Sequence, residues 1–276
     1  MAHRSRLTWP CDRRVTGPVV TGALLDELEG VALEVASGAA RLLQQFSGTP
    51  LKEVSTKSSP TDLVSEADMA SEAFIVSTLR RTRPFDSVQS EEGSSQQGTS
   101  GISWVADPLD GTTNFFFNVP AYSVSLAARC NGRTVVGVVV DPSRQETWSA
   151  SAGRGARCNG RECRVANGRS DVATALVATG FSYSPDKRAE QAAVLARLLP
   201  AVRDIRRFGS AALDLCWVAG GRFDAFYESG LNDWDWAAGG LICEEAGGQL
   251  LMLPDQLLLA ATPALSAPLA ALLTSP

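Results

Sequence analysis

The sequence predicts a layered sandwich of the α/β or α+β class, and three observations carry that prediction. Segments with apolar residues at helical spacing are interleaved with short β-rich runs along most of the chain, a pattern that stacks helices on sheets. No internal repeat is present, which excludes solenoids and propellers. The 276 residues are 45% hydrophobic and 20% charged, a globular balance that supplies a large core without disulfides. That length suits one large domain or two tightly joined halves.

The elements follow in order. Residues 1–20 hold four arginines and two prolines and are expected to be a disordered extension. The Arg13-Arg14 pair hints at an export signal. The apolar stretch after it is short, and Asp26, Glu27 and Glu29 soon interrupt it, so export is not expected. Over 22–46 the residues Leu24, Leu28, Val31, Val35 and Leu42 fall near one side of a long amphipathic helix. A second helix runs from Ser65 to about Arg81. Ser65 is its N-cap, and Asp68 stands where a capping box prefers Glu or Gln. Residues 93–101 form a polar, Gly-rich segment that is either a linker or a mobile flap. Strands are expected at 102–106, 122–130, 134–141 and 146–152, joined by turns such as Asn131-Gly132. A strand at 175–180, helices at 187–200 and 211–220, a strand at 223–228 and a helix at 234–246 come next. The uncharged residues 256–276 are broken by Pro263 and Pro268, so they read as a strand, a turn and a closing helix, not as a membrane span.

Composition excludes several chemistries. The formal net charge of −5 leaves no broad basic footprint for nucleic acid. The clusters Arg80, Arg81, Arg83 and Arg206, Arg207 read as solvated helix ends or strand flanks. The one histidine, His3, lies in the N-terminal extension. Catalytic triads, Cys-His dyads and histidine zinc sites are thereby removed, and chemistry must rest on carboxylates, hydroxyls, lysine or bound metal. The six cysteines include no CxxC and read as scattered reduced thiols of a cytoplasmic protein.

The chemistry concentrates in Trp104-Val105-Ala106-Asp107-Pro108-Leu109-Asp110-Gly111-Thr112-Thr113-Asn114-Phe115. An apolar strand runs into Asp107, and Pro108 and Gly111 then turn the chain, so Asp107 and Asp110 can project toward one point. Two close carboxylates repel unless one is protonated or a cation lies between them, and all-oxygen donors suit Mg²⁺, Mn²⁺ or Ca²⁺. The acids are three apart, which does not fit an EF-hand loop. If the segment after Gly111 is helical, its amides would attract an anion such as phosphate. An ordinary Asp-Gly turn between strand and helix remains the alternative. Three further segments add acids: Ser90-Glu91-Glu92-Gly93, Trp234-Asp235-Trp236-Ala237-Ala238-Gly239, and Lys57-Ser58-Ser59-Pro60-Thr61-Asp62 with Ser65-Glu66-Ala67-Asp68. Each alone has a structural account, Asp235 as a helix N-cap and the lysine segment as a loop and cap.

Taken together these motifs resemble the inositol monophosphatase family of lithium-sensitive, Mg²⁺-dependent phosphatases, over about residues 22–270. The hallmarks are Asp107-Pro108-Leu109-Asp110-Gly111-Thr112-Thr113-Asn114 and Trp234-Asp235-Trp236-Ala237-Ala238-Gly239. The stretch Arg206 to Leu215 is similar to that of bacterial, actinobacterial-type members. The resemblance implies a five-layer αβαβα sandwich, with an α+β half over 21–168 and an α/β half over 169–276 after the extension 1–20. It implies Glu91, Asp107 and the Leu109 carbonyl as ligands of one Mg²⁺, and Asp107, Asp110 and Asp235 as ligands of a second. Two or three ions per site, substitution by Mn²⁺ and inhibition by Li⁺ are part of the same expectation. Asp68, Thr112 and Glu91 form the implied catalytic set, with Thr112 and Asp68 orienting and deprotonating the attacking water. Substrate contacts would come from Lys57, Asp110, Gly111, Thr112, Gly209, Ser210, Ala211 and Glu228.

The family often has a histidine where this chain has Phe117, and some relatives have one in place of Asn232. Neither position matches a metal ligand. The run Phe115-Phe116-Phe117 reads as core or interface packing. The implied reaction is hydrolysis of myo-inositol 1-phosphate, with histidinol-phosphate phosphatase and fructose-1,6-bisphosphatase as alternatives on the same fold. Thr113 stands where 3′-phosphoadenosine 5′-phosphate phosphatases carry lysine. A second alternative is a non-enzymatic partner of the transcription machinery. A homodimer without nucleic-acid or membrane partners, working in the cytoplasm, completes the expectation.

Overall fold

The computed structural model describes residues 18–48, 54–56, 63–166 and 168–275. Most of the expected N-terminal extension, with His3 and Cys11, lies outside these residues. So do Lys57, Thr61 and Asp62.

Helix α1 (Gly22–Phe46) starts at Thr21, whose hydroxyl accepts from the Leu24 amide at 3.2 Å. Its buried stripe is Leu25, Leu28, Ala32, Val35, Ala36, Ala39 and Leu43. The expected apolar side is therefore rotated: Leu24 and Val31 only border the core and Leu42 is half-buried, because alanines let the helix lie close to its neighbours. Strands β1 (Val54–Thr56) and β2 (Leu63–Ser65) pair as an antiparallel ribbon. Helix α2 (Glu66–Thr82) follows and packs on α1. Ser65 and Asp68 form the full reciprocal capping box, so aspartate suffices where the longer acids are preferred.

The first sheet is built from β3 (Ser87–Ser90), β4 (Ser95–Gln96), β5 (Ile102–Asp110), then, after the short helix α3 (Thr112–Phe116), β6 (Ser123–Cys130), β7 (Arg133–Asp141), β8 (Glu146–Ser151), β9 (Ala156–Cys158) and β10 (Arg161–Cys163). Its order is β10-β9-β8-β7-β6-β5-β3-β4, antiparallel throughout except for the β3–β5 pair. The polar segment 93–101 is thus partly an edge strand. The second sheet takes β11 (Leu176–Thr179), then, after α4 (Pro185–Leu198), β12 (Asp204–Arg206), then, after α5 (Ala211–Ala219), β13 (Ala225–Ser229), and, after α6 (Asp233–Glu245), β14 (Gln249–Leu253) and β15 (Leu257–Ala261). Its order is β12-β11-β13-β15-β14, parallel over the first three and antiparallel beyond. Helix α7 (Pro263–Thr274) closes the chain.

Five layers result, αβαβα as expected. Helices α1 and α2 cover one face of the first sheet in a core holding Leu28, Leu43, Ile75 and Trp104. Helices α5 and α6 fill the middle layer between the sheets, around Phe226, Leu213, Leu215 and Ile242. Helices α4 and α7 cover the outer face of the second sheet, around Leu198, Leu259 and Leu269. Cys130, Cys158, Cys163, Cys216 and Cys243 are all free thiols, as expected. No helix among the described residues is long and apolar enough to cross a membrane.

Candidate active site

Strand β5 runs four residues further than the sequence suggested, and its irregular end creates the site. Asp107 pairs with Ser125 and Asp110 with Ser123, so a step of three residues on β5 meets a step of two on β6. A regular strand puts residues three apart on opposite faces; this bulge puts both carboxylates on one face. Gly111 then takes φ 96°, where a side chain is strained, and a Cβ there would also lie 2.9 Å from the Ala121 carbonyl. The helix it opens, α3, is only five residues long. Glu91 follows the end of β3, and its amide donates to the Ala106 carbonyl at 3.2 Å, which sets it beside Asp107.

Thr112 and Asp68 meet as expected. The Thr112 hydroxyl lies 2.9 Å from Asp68 Oδ1 and 3.1 Å from the Leu109 carbonyl. Asp68 is fully buried, and its Oδ2 accepts from the Ser65 amide at 2.8 Å and the Ser65 hydroxyl at 2.5 Å. One aspartate therefore caps α2 and orients Thr112.

The second sheet's layer supplies the rest. Asp110 Oδ2 accepts from Ser210 Oγ at 2.6 Å and from the Ala212 amide at 2.8 Å. Asp235 is not the N-cap of α6. Asn232 holds that position, and Asp235 closes the capping box by accepting from the Asn232 amide at 2.6 Å. Glu228 lies over Gly180, where a Cβ would stand 1.9 Å from its Oε2, so only glycine leaves room for this carboxyl.

Glu91, Asp107, Leu109, Asp110, Gly111, Thr112, Gly209, Ala211, Glu228 and Asp235 line one cleft of about 490 Å³. Ser210 sits fully buried behind it. Burial raises the Asp107 carboxyl well above the usual range, and the charges of Glu91, Asp110 and Asp235 add to the rise. Asp235 is raised well above its ordinary value by burial and by Asp110. Burial lifts Asp110 to about 6, against the opposing hydrogen bonds from Ser210 and the Ala212 amide. Burial pushes Glu228 to about 8, with Arg207 opposing.

Among the described residues, no three acidic, histidine or cysteine side chains already close around one point as a finished metal cage. The donor set nevertheless fits a hard divalent cation. It is all oxygen, and its members burden one another with charge that a cation between them would relieve.

Sequence reasoning missed parts of this cleft. Arg207 lines it, whereas Arg206 is the solvated strand flank expected of both, paired with Asp204 at 2.5 Å. Lys187 and the 180–184 segment form the far wall. Asp214, in the otherwise apolar α5, is buried, and burial together with Glu228 raises its carboxyl well above normal. An acid in that apolar helix was the available signal. Phe117 does not join the core; it is 65% exposed and packs edge-to-face on Phe116.

Known proteins are similar over nearly the whole chain. The family model described as the inositol monophosphatase family matches residues 24–273. The Mycobacterium tuberculosis protein named inositol-1-monophosphatase SuhB is 44% identical over 207 residues, 72% of this chain and 71% of that one. The Escherichia coli protein named Nus factor SuhB is 41% identical over 220 residues, 79% of this chain and 82% of its own. The crystal structure of the suppressor protein suhB from Bartonella henselae superposes with a TM-score of 0.85 at 35% identity, covering 90% of this chain and 98% of that one.

Proposed function

The chain belongs to the inositol monophosphatase family, and from that premise we propose that it hydrolyses myo-inositol 1-phosphate to myo-inositol and phosphate with Mg²⁺ as cofactor. The observation that carries the reading is the convergence of Glu91, Asp107, Asp110 and Asp235 on one cleft beside the Thr112–Asp68 pair. Glu91, Asp107 and the Leu109 carbonyl would hold one ion, and Asp107, Asp110 and Asp235 a second. Bound there, Mg²⁺ supplies neutralisation of the ester's charge, acidification of water and stabilisation of the departing alkoxide.

The chain's own groups do the rest. The amides of Gly111 and Thr112 would hold phosphate oxygens at the mouth of α3. The Thr112 hydroxyl takes a proton from the attacking water as its own proton passes to Asp68 Oδ1, the acceptor 2.9 Å away. Ser65 holds Asp68 in place for that transfer. Burial pushes the Glu228 carboxyl up to about 8, which favours the protonated form; in that form it would donate one hydrogen bond to a ring hydroxyl and accept another. Gly209, Ser210 and Ala211 would border the ring, and Lys57 would add positive charge at the phosphate. A homodimer belongs to the same reading, to be checked by sedimentation.

The decisive experiment measures Mg²⁺-dependent phosphate release from inositol 1-phosphate, histidinol phosphate, fructose 1,6-bisphosphate and 3′-phosphoadenosine 5′-phosphate, with and without lithium. Preference for inositol 1-phosphate and loss of activity in lithium are expected. Preference for another ester keeps the chemistry and changes the substrate. The similarity to a relative named Nus factor favours one second reading, a role with the transcription machinery. Recovery of that machinery by an Asp235→Asn variant, in a chain that releases no phosphate from any ester, would establish it.

A further inference from the structure

One face of β6 reads Ser123, Ser125, Ala127, Arg129, since alternate residues of a strand point the same way. This face meets the second half of the chain at each step. Ser123 Oγ lies 3.3 Å from Ser210 Oγ, and the Ser125 hydroxyl donates to the Trp234 carbonyl at 3.2 Å. Ala127 packs into the middle core with α6. Arg129 Nη1 donates to Asp233 Oδ2 at 2.5 Å.

Ser125 is also the register partner of Asp107. The residue opposite Asp107 therefore grips the peptide immediately before Asp235, and Arg129 grips the first residue of the same helix. The arginine side chain is only 12% exposed, against 38% for Asp233. Its Nε is buried with no hydrogen-bond partner among the described residues, so Asp233 balances a charge the fold has largely taken out of water.

We propose that Arg129 is a positioning residue: through Asp233 it fixes the start of α6 and so sets Asp235 where a divalent cation shared with Asp107 and Asp110 needs it. The inference rests on the metal reading above. Its sign is diagnostic. If charge alone mattered, removing the Arg129 cation would tighten binding of a nearby metal ion, and removing the Asp233 anion would weaken it. Positioning requires that both weaken it.

The test is calorimetric titration of the full chain with Mn²⁺, with thermal melting as a control for folding. Arg129→Met and Asp233→Asn are each expected to weaken the more loosely held Mn²⁺ by about tenfold to a hundredfold, the range for residues that orient metal ligands. Arg129→Lys should recover part of the loss. Ser125→Ala changes no charge and should weaken the same ion, which keeps the test open if Arg129→Met does not fold. Mn²⁺ binding that is unchanged or tighter in a folded Arg129→Met protein overturns the proposal alone. A wild-type chain that takes up no Mn²⁺ overturns the metal reading along with it.

Discussion

At the scale of single residues, the site depends on carboxylates that the fold makes expensive to ionise. Asp107 is the extreme case, 2% exposed and facing the charges of Glu91, Asp110 and Asp235. Asp107→Asn removes a donor proposed for both ions and also relieves charge repulsion. Phosphate release should fall to background while melting is unchanged or rises, and substantial turnover by a folded variant would falsify the assignment. Glu228 differs because it lies over Gly180 in the cleft and is proposed to meet the substrate's ring, not the metal ions. Glu228→Gln should alter the ratio of kcat/KM between inositol 1-phosphate and simpler phosphomonoesters, with Mn²⁺ affinity little changed. Equal losses on every ester would contradict that role.

At the scale of elements, the end of β5 and the start of α3 act as one unit. The bulge turns Asp110 to the face of Asp107, and Gly111 reverses the chain with a backbone angle that a side chain resists. Gly111→Ala adds strain on the order of 1–2 kcal/mol and crowds the Ala121 carbonyl. Melting should drop by roughly 2–8 °C, and activity should fall further than stability alone explains, because the Gly111 and Thr112 amides move. Wild-type kcat in this variant would show that the turn does not hold the phosphate. Much of this scale was legible. The Ser65–Asp68 box, α1 and the strand-to-turn motif are written in residues close together in sequence. The bulge was not, since it exists only as a mismatch between β5 and β6. Nor was the rotated stripe of α1, which depends on the alanines that its packing partners require.

At the scale of the whole molecule, the metal-free protein carries an electrostatic burden that sets its pH response. Glu228 goes from an ordinary value near 4.5 to about 8 on folding, and Asp107, Asp235 and Asp214 are raised in the same direction. An acid whose folded pKa is raised stabilises fully below its unfolded pKa, and that contribution is lost as pH rises through the folded value. Without metal, the melting temperature should therefore fall between about pH 4.5 and 8. Saturating Mg²⁺ should raise it most at the upper end, by mass action on the folded state. A melting temperature that climbs over this window without metal would contradict the burial of these acids.

The sequence by itself determined the class of the fold and the order of its main elements, and it singled out Glu91, Asp107, Asp110, Glu228 and Asp235, which the structure brings to one cleft. Those properties follow from local periodicity, capping and residue type, which a chain carries wherever it folds. Only the tertiary structure decided that Asp110 shares a face with Asp107, that Ser210, 100 residues later, clasps Asp110, that Arg207 lines the cleft, and that Asp214 is buried with its carboxyl raised. It also decided which carboxyls burial raises above their ordinary range. Register between strands and the cost of charge both arise from groups distant in sequence, brought together by the packing of two sheets around one layer of helices.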